Sequence, residues 1–131
     1  MAILIWDYVE IELMENILRI DESHSGNATI VSLEGRMDAS SSPSAEAVLF
    51  RLIQSGTRQI VVDMSQLDYI SSAGLRVMLA SLKKLRDDGG RLVLAGLKPQ
   101  IQNVFEIAGF QRIFTIYSTT EEAVSSFSAP V

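Results

Sequence analysis

Two rhythms of hydrophobic spacing divide this chain, one that alternates every second residue and one that returns every third or fourth. The alternating rhythm appears in "NILRIDES" (Asn16 to Ser23) and "ATIVSLEGRM" (Ala28 to Met37), with "HSGN" between them, and predicts a strand, a turn and a strand. Ahead of these, Asp7 to Leu13 also alternates, in a stretch that reads as an extension. The helical rhythm then takes over, with Ala45, Val48, Leu49, Leu52 and Ile53 on one face. Ser42 before Pro43 predicts its cap and Gly56 its end.

"RQIVVDMS" reads as a short apolar strand ending at Asp63. "LDYISSAGLRVMLASLKKL" (Leu67 to Leu85) follows, with Leu75, Met78, Leu79, Leu82 and Leu85 on one helical face and Gly89-Gly90 as the stop. "RLVLAGL" is a further strand. Lys98-Pro99 opens a helix carrying Ile101, Val104, Phe105 and Ala108, and Gly109 ends it. "RIFTIY" is the last strand, and Ser118-x-x-Glu121 has the spacing of a capping box before a short helix through Val124 and Phe127.

The order is ββαβαβαβα. Strands alternating with helices imply an α/β domain, a mixed and mostly parallel sheet with helices packed on it. At 131 residues the chain is sized for one such domain. The expected division is an extension over residues 1–13, the domain over 14–127 and a frayed end over 128–131.

Composition narrows the partners. Eleven Lys and Arg against 16 Asp and Glu give a net charge of −5, which argues against a binder of nucleic-acid backbone. The absence of Cys removes disulfides and thiolate metal sites and suits a reducing compartment. No apolar run approaches the roughly 18 residues that span a bilayer. The start lacks a basic segment and is interrupted by Asp7, so no signal peptide is expected. The expectation is a cytoplasmic protein without direct membrane insertion.

Enzyme chemistry finds little support. Ser72-Ala73-Gly74 is the rear half of a nucleophile elbow, but Ile70 stands where the front glycine belongs. The only His, His24, lies in the hairpin turn, far ahead of the serine, where a solvated turn residue is the plainer reading. Asp63 resembles a phospho-accepting strand-end aspartate, yet the required Lys after the last strand is missing from "RIFTIYSTT". Asp38, Asp63 and Asp68 show no metal-ligand spacing. No phosphate loop exists, and "DDGGR" reads as a helix stop. No cofactor is expected.

Ser72 itself remains. It stands where a long amphipathic helix begins, beside free N–H groups and the positive end of the dipole. It can be the helix cap, or a hydroxyl held out as a target for phosphate, which such a place accommodates. The two roles are compatible.

Three segments carry a resemblance to a known family: "LEGRMDAS" (Leu33 to Ser40), "IVVDMSQLDYISSAGLRVMLASLKKLRDDGGRLVLAG" (Ile60 to Gly96) and "VFEIAGFQRIFTIYSTTEEAV" (Val104 to Val124). Together they resemble the STAS domain in its small, stand-alone bacterial form, the anti-sigma factor antagonist. The resemblance implies that Ser72, two residues before Gly74-Leu75, is phosphorylated by a partner that is both serine kinase and anti-sigma factor. It implies that Asp38, in the turn after the second strand, lies near that serine. The partner-binding residues it implies are Asp38, Ser71, Ser72, Gly74 and Leu75. Many members have an acidic residue where this chain has Ser71, so Ser71 is the alternative acceptor. The implied mechanism is partner switching, reset by a metal-dependent serine phosphatase, with catalysis left to the partners. The alternative implied by the same fold is a non-phosphorylated STAS subunit regulating a membrane transporter.

Overall fold

The computed structural model describes residues 18–128; the predicted extension over residues 1–13 and the last three residues lie outside the described residues. Strands β1 (Leu18–Ser25) and β2 (Ala28–Met37) form an antiparallel hairpin. Its loop is only Gly26 and Asn27, with Gly26 at φ 60°, the position at which such two-residue loops favour glycine. His24 is therefore a strand residue opposite Thr29 rather than a turn residue, and it is exposed. Its Nδ1 lies 3.3 Å from the Thr29 hydroxyl.

The chain continues through α1 (Ser42–Gln54), β3 (Gln59–Ile70), α2 (Ser72–Asp87), β4 (Arg91–Ala95) and α3 (Pro99–Ile107). A 3-10 turn over Phe110–Arg112, then β5 (Ile116–Tyr117) and α4 (Thr120–Ser126) complete it. The element order matches the expected one. The sheet runs β1-β2-β3-β4-β5, antiparallel in its first pair and parallel in the other three. Each parallel connection moves one strand further in the same direction, so right-handed crossovers put α1, α2 and α3 on one face. There Leu49, Met78, Leu85, Ile101 and Phe105 pack with Ile60, Val62 and Leu94. The last helix is no crossover, and its Ala123 packs with Val61, Val93 and Ala95 on the other face.

Five local expectations need correcting. Strand β3 does not stop at Asp63 but runs to Ile70. Its pairing with β2 has register shifts between Ser32 and Glu34 and between Gly35 and Arg36. Irregular pairing lets Met64, Leu67 and Ile70, three apart in sequence, all be buried, which hides the strand's period of two. Strand β5 is two residues rather than the six of "RIFTIY". Phe110 and Phe114 are drawn against Phe105, with ring centroids 6.0 and 5.7 Å away, so the chain coils there before it pairs.

The caps shift by one residue. Ser41, not Ser42, is the cap residue of α1, without a side-chain cap bond, and Thr119, not Ser118, caps α4 by accepting from Glu122 N–H at 3.1 Å. The buried face of α2 also turns from the expected one. Gly74, Val77, Met78, Ser81, Leu82 and Leu85 are buried, while Leu75 and Leu79 are only half-buried.

Candidate functional site

The strand β3 and the helix α2 meet with a single residue between them. Ser71 N–H donates to the Met37 carbonyl at 2.8 Å, so Ser71 still belongs to the edge of the β2–β3 ladder. Its backbone is extended, at φ −90° and ψ 174°, and its hydroxyl accepts from Gly74 N–H at 3.3 Å. Its carbonyl accepts from Leu75 N–H at 2.9 Å. These are the marks of an N-cap residue. The cap is Ser71, and the sequence expectation that Ser72 fills it is corrected. The tether to Met37 fixes the last extended residue, and the helix can start only after it.

Ser72 is consequently the first helical residue and is exposed. Its hydroxyl has no hydrogen-bond partner among the described residues, while the neighbouring Ser71 hydroxyl is engaged. First-turn N–H groups have no carbonyl behind them and carry the helix's positive end, and no acidic residue occupies the first turn of α2. The junction therefore presents one free hydroxyl in a setting that favours added negative charge.

Gly74 explains how the helix can start so close to the sheet. A Cβ there would stand 2.7 Å from Ile70 Cγ1 and 3.1 Å from both Met37 Cγ and the Met37 carbonyl oxygen. Without a side chain, the first turn of α2 lies directly on the ends of β2 and β3. Leu75 follows half-buried against the main core, anchoring the same turn.

Asp38 comes immediately after Met37 just as Ser72 comes immediately after Ser71, so the two flank the Met37–Ser71 hydrogen bond. One Asp38 carboxylate oxygen accepts from the Ser40 hydroxyl at 2.7 Å, Ser40 N–H at 2.9 Å and Ser41 N–H at 3.0 Å. The Ser41 hydroxyl lies 3.1 Å from the same oxygen and 2.8 Å from the Arg36 carbonyl. The Ser40 hydroxyl first, then the Ser41 N–H, hold the Asp38 pKa below its ordinary value of 3.8. This carboxylate braces the β2–α1 turn, whose preceding residue, Met37, is tied to the start of α2 through Ser71.

Beside the junction, residues of α1, α2 and the turn before α1 line a groove of about 390 Å³. Ala39, Pro43, Ala73 and Ala80 give it small apolar walls, while Glu46 and Arg76 bring charge to it. Sequence reasoning missed both charged residues. Arg76 could have been found from its spacing, four residues after Ser72; Glu46 gave no such signal, because only the packing of α1 on α2 brings it to the site.

The remaining sequence candidates stay apart from this place. Asp63 sits half-buried within β3, accepting from the Ser32 hydroxyl at 3.3 Å and from Ser65 N–H at 3.0 Å. Asp68 pairs with Lys98. Among the described residues, no three His, Asp or Glu side chains come together as metal ligands, and no helix is long and apolar enough to cross a membrane.

A family model described as the STAS domain matches residues 19–123, from β1 into α4. The chain belongs to the STAS family. Over 98 residues it is 44% identical to BtrV of Bordetella bronchiseptica, a protein assigned as an anti-sigma factor antagonist, covering 75% of this chain and 84% of that one. It is 32% identical over 91 residues to the anti-sigma-B factor antagonist of Staphylococcus aureus, covering 70% and 84%. Among solved STAS structures, SpoIIAA of Bacillus in its phosphorylated form superposes with a TM-score of 0.67 at 20% identity, over 85% of this chain and 99% of SpoIIAA. Unphosphorylated SpoIIAA gives 0.74 at 21% identity, over 88% and 99%. At these identities the superpositions speak for a shared fold. The STAS fold is thus the frame in which Ser71, Ser72, Asp38 and the groove sit.

Proposed function

We propose that this chain is an anti-sigma factor antagonist that works by partner switching in the cytoplasm. In its unphosphorylated form it binds a serine kinase that is also an anti-sigma factor, and the sigma factor is released. The kinase transfers the γ-phosphoryl group of ATP to the Ser72 oxygen; the hydroxyl proton leaves and ADP departs. A metal-dependent serine phosphatase hydrolyses the phosphate ester and returns the chain to its binding form. The chain supplies the acceptor and the docking surface, and catalysis is the partners' task. Asp38, Ser71, Gly74 and Leu75 shape the surface around Ser72.

The observation that carries this reading is the division of labour between the two serines. Ser71 is spent on the sheet and the helix cap, and Ser72 is exposed with its hydroxyl unengaged. A phosphoserine adds about −1.5 to −2 charge at neutral pH. At a helix start that charge is tolerated by the fold, so its cost falls on the complex. An ordinary interface of roughly 800 Å² per side has little room for a misplaced anion, and like-charge contact costs several kcal/mol. The names of the relatives, both antagonists of anti-sigma factors, support the same output.

The test is a pull-down from the source cells with Ser72→Ala as bait, followed by incubation of the retained kinase with ATP and the wild-type chain. The expected result is one added phosphoryl group on the wild type by intact mass, and none on Ser72→Ala. Equal labelling of both would move the acceptor elsewhere and overturn the assignment.

A further inference from the structure

Arg76 lies four residues after Ser72 on α2, and both are exposed. Residues at that spacing are neighbours on a helix surface, about 5–6 Å between Cβ atoms, and an acid placed N-terminal to a base is the more favourable order. Among the described residues Arg76 enters no ion pair and no stacking contact with an aromatic ring. It stands on the wall of the α1–α2 groove, where among the described residues it is the only cation and Glu46 the only acid, and the two are not paired.

We propose that Arg76 is the internal counter-ion of phosphorylated Ser72, so that phosphorylation withdraws this cation from the groove. The inference rests on the reading that Ser72 takes the phosphate, and it names how that phosphate acts on the surface beside it. A guanidinium presents planar paired donors that match phosphate oxygens, and charge-assisted bonds of this kind are roughly twice as strong as neutral ones. Other acids compete poorly for Arg76. Asp38, on the β2–α1 turn, is occupied by the Ser40 and Ser41 donors, and Asp68, on β3, is paired with Lys98. Glu46, on α1, offers one negative charge against the phosphate's nearly two. Phosphorylation thus changes the docking surface twice, adding an anion at the helix start and drawing Arg76 away from the groove. A partner that meets Arg76 with a carboxylate loses that contact in the same step.

The experiment uses the chain with phosphoserine installed at position 72 during synthesis, without any kinase, and follows the phosphate through its second ionisation by ³¹P NMR. Pairing with Arg76 favours the dianion, so the wild-type midpoint should lie about 0.2 to 0.4 pH units below that of Arg76→Gln, the size expected of an exposed pair at this spacing. Arg76→Lys should recover most of the shift. Lys83→Gln, which removes an exposed charge from the same helix, should leave the midpoint where it is. Identical midpoints for Arg76→Gln and Lys83→Gln would overturn the proposal. Because no kinase is involved, a chain that no kinase labels would defeat the partner-switching reading and leave this result standing.

Discussion

The Ser71 hydroxyl accepts from Gly74 N–H at 3.3 Å while the hydroxyl of the next residue, Ser72, has no protein partner among the described residues. Two adjacent serines therefore do different work, and substitution should separate them. Ser71→Ala removes a cap and should cost about 0.5–2 kcal/mol by urea denaturation. Ser72→Ala removes an exposed hydroxyl and should stay within about 0.5 kcal/mol of wild type. Under partner switching the functional effects run the other way: Ser71→Ala still accepts phosphate, and Ser72→Ala binds the kinase permanently. A large stability loss in Ser72→Ala with none in Ser71→Ala would reverse the assignment of the cap.

Gly74→Ala should destabilise the chain by about 1–3 kcal/mol, as overpacking does in a close-packed interior. Alanine is the better helix former by about 1 kcal/mol, which offsets part of this. The contact decides the sign: the new Cβ would lie 2.7 Å from Ile70 Cγ1 and 3.1 Å from the Met37 carbonyl oxygen, and that carbonyl is held by Ser71 N–H. Ile70 can shift, whereas the tethered backbone of Met37 has little freedom. A urea midpoint equal to or above wild type would show that α2 can move off the sheet end without penalty.

These contacts also show which features were legible in the sequence. The α/β order was readable because the helices carry apolar residues at three and four and the central strands contain short apolar runs. The location of the serine pair between β3 and α2 was readable for the same reason. The assignment of the cap was not, since "SSAG" permits either serine to begin the helix. What selects Ser71 is a hydrogen bond from Ser71 to Met37, 34 positions earlier in the chain, and no local signal contains it. The long β3 was hidden because irregular pairing with β2 spaces Met64, Leu67 and Ile70 by three. The 3-10 turn before β5 was hidden because it depends on Phe110 and Phe114 reaching Phe105.

Asp38 predicts an acid sensitivity of the turn beside the site. Its folded pKa is depressed, by the Ser40 hydroxyl first. A carboxylate lowered in the folded state contributes stability that is present above its unfolded pKa, about 3.9, and is lost as pH falls through the folded value. Wild type should therefore be more stable than Asp38→Asn near neutral pH, and the difference should shrink below about pH 4. Urea denaturation of both proteins from pH 7 to pH 3 checks this. A difference that stays constant over that range would mean the charge of Asp38 contributes nothing to the turn.

Ser81 carries the last prediction, because it breaks a rule that the rest of the core obeys. It lies fully buried on the inner face of α2, and among the described residues its hydroxyl oxygen is the buried side-chain atom without a hydrogen-bond partner. A buried hydroxyl without a partner forfeits its bonds to water and gains nothing in return, at a cost of about 1–3 kcal/mol. Alanine keeps the Cβ and removes only the oxygen, so the space it leaves is small, and alanine also favours the helix. Ser81→Ala should hold or raise stability by up to about 1 kcal/mol, well short of the full penalty because the vacated space loses packing contacts. The Ser72 hydroxyl sits at the start of the same helix on its exposed side, so under the proposed partner switching its phosphorylation should proceed unchanged. A clear loss of stability in Ser81→Ala would show that the hydroxyl has a partner in solution, with the carbonyl of Val77, one turn earlier on α2, the first place to look.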